Sequence, residues 1–134
     1  MTANNAQPNP TPVDILILGA GWTSSFLVPL LQTQSPPITF TATTRSGTPR
    51  WGVETIPFAF NPTPKNEQEE QEMEEAWRRL PDAETVVVTF PLYGSGKSVK
   101  LVEGWEKSRS DSSGARTPLW VQLGSTGIWN VSAK

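Results

Sequence analysis

The sequence predicts an α/β domain on a doubly wound parallel sheet, from three observations. Apolar runs of strand length alternate with segments of helical periodicity, the pattern that parallel strands with right-handed crossovers produce. The first run, residues 13–18, is apolar almost without a break, as a strand buried on both faces must be. It passes directly into Gly19-Ala20-Gly21 and then a helical pattern, so strand, tight turn and helix follow one another with no linker.

Residues 1–12 hold Pro8, Pro10 and Pro12 among Asn and Thr. With neither a basic nor an apolar region they do not read as a secretory signal, and they are expected to be a disordered tail ahead of one domain, 13–134. Within that domain, residues 22–32 place Phe26, Leu27, Leu30 and Leu31 at helical spacing, and Pro29 among them is expected to kink or shorten the helix. Pro36-Pro37 break the chain, and the β-branched residues of 38–44 predict a second strand. A third, over 54–60, contains Pro57, which points to a sheet edge. Asn66 with Glu69 resembles a capping box. The helix behind it puts Met73, Ala76, Trp77 and Leu80 on one face, and Pro81 closes it. Residues 84–90 predict the fourth strand, 95–108 a helix burying Val99, Leu101, Val102 and Trp105, and 119–123 the fifth strand. Every link carries a helix except the second-to-third. The expected order is 3-2-1-4-5, a Rossmann-like sheet that is incomplete at the C-terminus, because such a sheet continues past its fifth strand and the sequence ends at Lys134.

Composition removes several kinds of chemistry. The 134 residues include no Cys and no His, so there is no disulfide framework, no thiolate nucleophile, no Ser-His-Asp triad and none of the usual zinc sites. A net charge of -2 gives no basic surface for nucleic acid. No apolar run approaches the ~20 residues of a membrane span, and a soluble cytoplasmic protein is expected.

The glycine turn carries the functional expectation. A helix N-terminus presents backbone N–H groups to a pyrophosphate. Gly19 permits the tight turn, Gly21 lets backbone approach the phosphate, and Ser24 is a small residue where the helix packs on the strand. About 20 residues on, NAD sites place a carboxylate for the ribose diol. No Asp or Glu lies between Asp14 and Glu54, and Thr44-Arg45-Ser46 stands there instead. A guanidinium between hydroxyls suits a 2′-phosphate, so NADP(H) is favoured over NAD(H), and Arg50 is in a position to assist.

Other patterns invite stronger claims. Gly94-Ser95-Gly96-Lys97-Ser98 looks like the end of a phosphate-binding P-loop, but Pro91 stands where that motif needs its first glycine. A glycine-rich turn passing the cofactor is the simpler reading. Tyr93 and Lys97 form Tyr-x-x-x-Lys, with Gly94 and Gly96 opposing the helix that would align them. The six glutamates of 67–75 are the wet face of an amphipathic helix, not a metal site.

With these residues in place, the chain resembles the atypical and extended short-chain dehydrogenase/reductases. Gly19-Ala20-Gly21-Trp22-Thr23-Ser24 resembles their cofactor turn, Thr43-Thr44-Arg45-Ser46 their adenosine-phosphate reader, and Thr89-Phe90-Pro91 the fourth-strand end that passes under the cofactor. Leu123-Gly124-Ser125-Thr126-Gly127-Ile128-Trp129 resembles the family's fifth-strand segment. The resemblance implies cofactor contacts at Gly19, Ala20, Gly21, Trp22, Thr23, Thr44, Arg45 and Ser46, with Phe90 and Pro91 toward the nicotinamide. It implies that Ser125 polarises the substrate. The family's proton donor is a Tyr on the following helix, with a Lys four residues later. Here no Tyr follows Ser125, and the only later Lys is Lys134.

The expected function is therefore the cofactor half of a short-chain-type oxidoreductase or nucleotide-sugar-epimerase-like enzyme acting on an unknown small molecule. A non-catalytic dinucleotide-binding sensor, a non-functional truncation and, behind these, a P-loop-type nucleotide binder stand as alternatives. Neither nucleic acid nor membrane is expected as a partner, and an exposed fifth-strand edge invites self-association.

Overall fold

A computed structural model describes residues 11–92, 95–109 and 117–123. The elements are β1 (Val13–Leu18), α1 (Ser24–Gln32), β2 (Phe40–Thr44), β3 (Thr55–Pro57), α2 (Glu67–Arg78), β4 (Ala83–Val88), α3 (Lys97–Ser108) and β5 (Leu119–Gln122). They form a five-stranded sheet in the order β3-β2-β1-β4-β5 with every pairing parallel. This is the Rossmann-like α/β arrangement that the alternating pattern predicts. Pro57 lies in the edge strand β3, where no neighbour asks for its missing N–H.

β1 is continuous in apolar residues because both of its faces are covered. Leu16, Ile17 and Leu18 are fully buried. Leu16 and Leu18 pack with Trp77, Leu80, Leu101 and Trp105 of the α2 and α3 layer, and Ile17 packs with Val28 and Leu31 of α1 on the other side. The link from β2 to β3 contains no helix, so α1 is the one helix among the described residues packed on its face. That helix carries no charged residue, and Phe26 and Leu30 on it, with Trp22 just before it, are largely exposed.

Several boundaries and faces differ from the sequence expectation. Pro29 does not end α1, which runs to Gln32. The buried residues of α1 are Ser24, Val28 and Leu31, while Phe26 and Leu30 face outward. Helical spacing holds for both sets, and contact with the sheet chooses between them. In α3, Leu101 and Trp105 are buried one turn apart, but Val99 is exposed. It sits two residues before Leu101, on the opposite side of a 3.6-residue helix. Asn66 caps α2 by accepting the Glu69 N–H at 2.9 Å, but the return half of the box is rerouted. The Glu69 carboxylate accepts from the Lys65 N–H and the Asn61 amide, bonds that hold its pKa below the ordinary carboxylate value, with the Lys65 bond the larger cause.

Two packing devices join the α2–α3 layer to the sheet. Trp77 lies edge-on to Phe58 at 4.8 Å and to Trp105 at 6.3 Å. Arg109, nearly buried, donates to the Trp77 and Leu80 carbonyls at the end of α2 and to Asp82 at 3.0 Å, and it stacks 4.0 Å over the Trp105 ring. Burial lowers the pKa of its guanidinium and the Asp82 carboxylate opposes that shift. Among the described residues no helix is long and apolar enough to cross a membrane.

Gly104 marks where α3 meets Trp77. A Cβ there would overlap the indole nitrogen and stand 2.7 Å from Trp77 Cε2. Helix propensity alone favours Gly104→Ala by about 1 kcal/mol. The overlap is expected to reverse that sign and leave the variant less stable by about 1–3 kcal/mol, measured by urea unfolding. A stabilised variant would show that α2 and α3 separate at little cost.

Candidate functional site

The turn after β1 is fixed from three directions. Gly19 has φ +96°, and a Cβ on it would stand 2.7 Å from Thr89 Oγ1 and 3.1 Å from Phe90 Cδ2. Its N–H donates to Thr43 Oγ1 at 2.9 Å, and the Ala20 N–H donates to the Thr43 carbonyl at 2.7 Å. From just past the end of β4, the Thr89 hydroxyl donates to the carbonyls of Leu18 and Gly19. From the β2–β3 link, the Trp51 indole N–H donates to the carbonyls of Ala20 and Gly21.

The donors left over are those of the turn itself. The N–H groups of Ser24, Ser25 and Phe26 fold back on the carbonyls of Gly21, Trp22 and Thr23 at 2.9–3.1 Å. The N–H groups of Gly21, Trp22 and Thr23 have no acceptor among the described residues. Gly21 differs from Gly19, because a Cβ there would meet nothing within 4 Å. Ser24 is fully buried, as its place under the turn requires, and its hydroxyl has no partner among the described residues.

Beside this turn a cleft of about 450 Å³ opens over the carboxyl ends of β1, β2 and β4. The order β2-β1-β4 places it where the chain's winding reverses, the position at which open α/β sheets bind ligands. Its walls are Gly19, Thr44, Phe58, Ala59, Phe60, Pro62, Phe90, Pro91 and Leu92, with two cations, Arg45 and Lys97. No carboxylate lines it, and neither cation has an ion pair or hydrogen bond among the described residues. The Phe60 and Phe90 rings, both in its wall, stack on each other at 6.3 Å and 25°. The cleft thus offers apolar walls for a flat group and two unpaired positive charges for an anion. A groove of about 390 Å³ between α2 and α3 is different in kind, since Glu74 and Lys107 there neutralise each other at 3.0 Å.

Gly19, Thr44, Arg45, Phe90 and Pro91, read as site residues from sequence, meet in this cleft. Ala20, Gly21, Trp22 and Thr23 form the adjoining turn, with Trp22 exposed and edge-on to Phe26 at 4.9 Å. Thr44 also has a local role: its Oγ1 accepts the Gly47 N–H and hydrogen-bonds Thr55 Oγ1. Ser46 is not a wall of the cleft, and its hydroxyl bonds Thr48 Oγ1 at 2.7 Å. Arg50 is likewise absent from the wall, with its guanidinium 5.0 Å over the Trp51 ring. Ser125 and Tyr93 lie outside the described residues.

Sequence reasoning missed Phe58 and Phe60, which it placed inside a strand; β3 ends at Pro57, so both follow the strand into the cleft. It weighed Lys97 only as part of two motifs, and nothing local signals a partnership with Arg45. It also missed Trp51, whose partners are about 30 residues away in sequence.

No family model matches the chain, and no curated protein or solved structure matches it.

The two glycines of the turn are expected to separate on substitution. Gly19→Ala forces positive φ on a side chain that also meets Thr89, a loss of at least ~1–2 kcal/mol. Gly21→Ala, with open space around it, is expected to stay within about 0.5 kcal/mol of the native chain. Parallel thermal or urea unfolding of both variants distinguishes the positions, and equal losses would contradict the geometry.

Proposed function

We propose that this chain binds NADP(H), as the cofactor-holding domain of a short-chain-dehydrogenase/reductase-like oxidoreductase or epimerase. The observation that carries the reading is the juxtaposition of the N–H groups of Gly21, Trp22 and Thr23, which have no acceptor among the described residues, with a cleft holding Arg45 and Lys97 that no described carboxylate lines. A dinucleotide phosphate has the chemistry that answers both features. Its pyrophosphate takes backbone N–H donors at a helix start. Its 2′-phosphate takes a guanidinium in a charge-assisted fork, and its base needs flat apolar walls.

In this reading the pyrophosphate lies on the turn, Arg45 holds the 2′-phosphate, and Phe58, Phe60 and Phe90 enclose the adenosine end. The sequence alone directed Phe90 and Pro91 toward the nicotinamide. Their sharing of one cleft with Arg45 supports the adenosine end instead. The resemblance gives Ser125 the role of polarising a substrate oxygen in the complete reaction. The described residues support holding the cofactor. A non-catalytic binding module is the second reading, and both readings share the same site.

Titrating the chain with NADPH and NADH, followed by tryptophan quenching, tests the proposal. Saturable binding with NADPH tighter is expected. Arg45→Ala is expected to weaken NADPH by roughly 10- to 100-fold, the worth of one charged hydrogen-bonding partner, and to leave NADH within about twofold. A folded chain that binds neither nucleotide would overturn the reading. Binding without loss in Arg45→Ala would move the 2′-phosphate elsewhere, with Lys97 the remaining cation of the cleft.

A further inference from the structure

We propose that Trp51 is a positioning residue for the phosphate-binding turn, orienting the backbone N–H groups of Gly21 and Trp22 through the carbonyls of the same peptide units. The inference rests on the dinucleotide reading above and assigns the β2–β3 link a part in it.

The link, residues 45–54, joins two parallel strands without a helix. Near its end the chain makes a two-residue hairpin. Arg50 and Val53 exchange both backbone hydrogen bonds at 3.0 Å, and the two central residues, Trp51 and Gly52, have φ values of 55° and 79°. Positive φ at both central positions is the primed turn that normally selects Asn-Gly. A tryptophan in that conformation is rare, and a rare backbone state persists only where surrounding structure fixes it. Here the surroundings are the glycine turn: the single indole N–H is shared between Ala20 O at 3.0 Å and Gly21 O at 3.1 Å.

A trans peptide unit is planar, and its C=O and N–H point in opposite directions. Fixing Ala20 O therefore fixes the direction of the Gly21 N–H, and fixing Gly21 O fixes that of the Trp22 N–H. The indole holds the Ala20–Gly21 plane from its carbonyl side by itself and the Gly21–Trp22 plane together with the Ser24 N–H, which donates to the same Gly21 carbonyl at 3.0 Å; both N–H groups leave on the other side, where neither has an acceptor among the described residues. Without the indole, the Ala20–Gly21 unit is flanked by a glycine, the residue least able to hold one orientation by itself. Donors fixed in advance save a phosphate the cost of ordering them on binding. The ring is in turn covered by the Arg50 guanidinium at 5.0 Å.

A purely structural staple and a positioning residue differ in which ligands they affect. In the full chain, Trp51→Phe keeps a ring and removes the N–H donor. Calorimetry with NADPH and with adenosine 2′-monophosphate, which carries the base and 2′-phosphate but no pyrophosphate, separates the roles. Trp51→Phe is expected to weaken NADPH about tenfold, the scale of one lost hydrogen bond, and to leave adenosine 2′-monophosphate within twofold. Equal weakening of both, or of neither, would overturn the proposal. A measurement on the native chain stands apart from any folding defect. NADPH is expected to shift the Gly21 and Trp22 amide protons while the Trp51 indole proton stays protected from exchange. An indole proton released on binding would show that Trp51 is displaced and would overturn the proposal. If the native chain binds no dinucleotide, the functional reading fails first and the role of Trp51 falls with it.

Discussion

The end of β1 has no room for a side chain, and the rest of the site follows from that constraint. Gly19 is pressed against Thr89, the residue that follows the neighbouring strand β4, so the backbone turns away at positive φ and enters α1 within a few residues. Thr43 from one flanking segment and Thr89 from the other take up the polar groups of the turn. A buried backbone without these partners would lose about a hydrogen bond's worth of stability at each orphaned group. Because the local groups are satisfied in this way, the donors of the turn left without an acceptor among the described residues are those of Gly21, Trp22 and Thr23, at the place where the sheet reverses its winding.

The two faces of the sheet are built differently, and the difference shapes the cleft. On one face α2 and α3 pack through Trp77, Trp105 and the carbonyl-capping Arg109. The segments leaving β3 and β4 on that side deliver Phe58, Phe60 and Phe90 to the carboxyl end of the sheet. On the other face α1 packs without a helical neighbour among the described residues. The short link that replaces a second helix instead lays Trp51 against the glycine turn. Electrostatics then distinguish the clefts: Glu74 of α2 pairs with both Lys107 and Arg78 along the helix layer, while Arg45 and Lys97 line the β1 cleft, where no carboxylate of the described residues joins them, although Arg45 also borders a groove that Glu69 and Glu72 line.

Much of the fold was legible because it rests on patterns that survive without tertiary context. The unbroken apolar run of 13–18, the Asn66 cap and the Met73-Ala76-Trp77-Leu80 stripe each state a local preference that agrees with the global arrangement, as foldable sequences tend to do. Legibility failed where one pattern admits two burials. Phe26 and Leu30 keep helical spacing with one another, as Val28 and Leu31 do, and only the sheet decides which pair is covered. Val99 failed for a different reason, since it stands two residues before Leu101 and helical periodicity itself puts the two on opposite sides. The site was half legible: the glycines and Arg45 stand in a known order along the chain, whereas Phe58, Phe60, Lys97 and Trp51 join them only across folded space.

By itself, the sequence determined the alternation of strands and helices, hence a parallel sheet in the order 3-2-1-4-5, and the glycine turn at the end of the first strand. It also excluded thiol and imidazole chemistry by composition. These are consequences of residue type and spacing along one chain. Tertiary structure alone decided which face of α1 is buried, that one cleft gathers Arg45 and Lys97 from segments 52 residues apart, and that an indole reaches back about 30 residues to hold the turn. Such pairings carry no local signature, because the interactions that make them exist only after the loops between them have closed and that entropy has been spent.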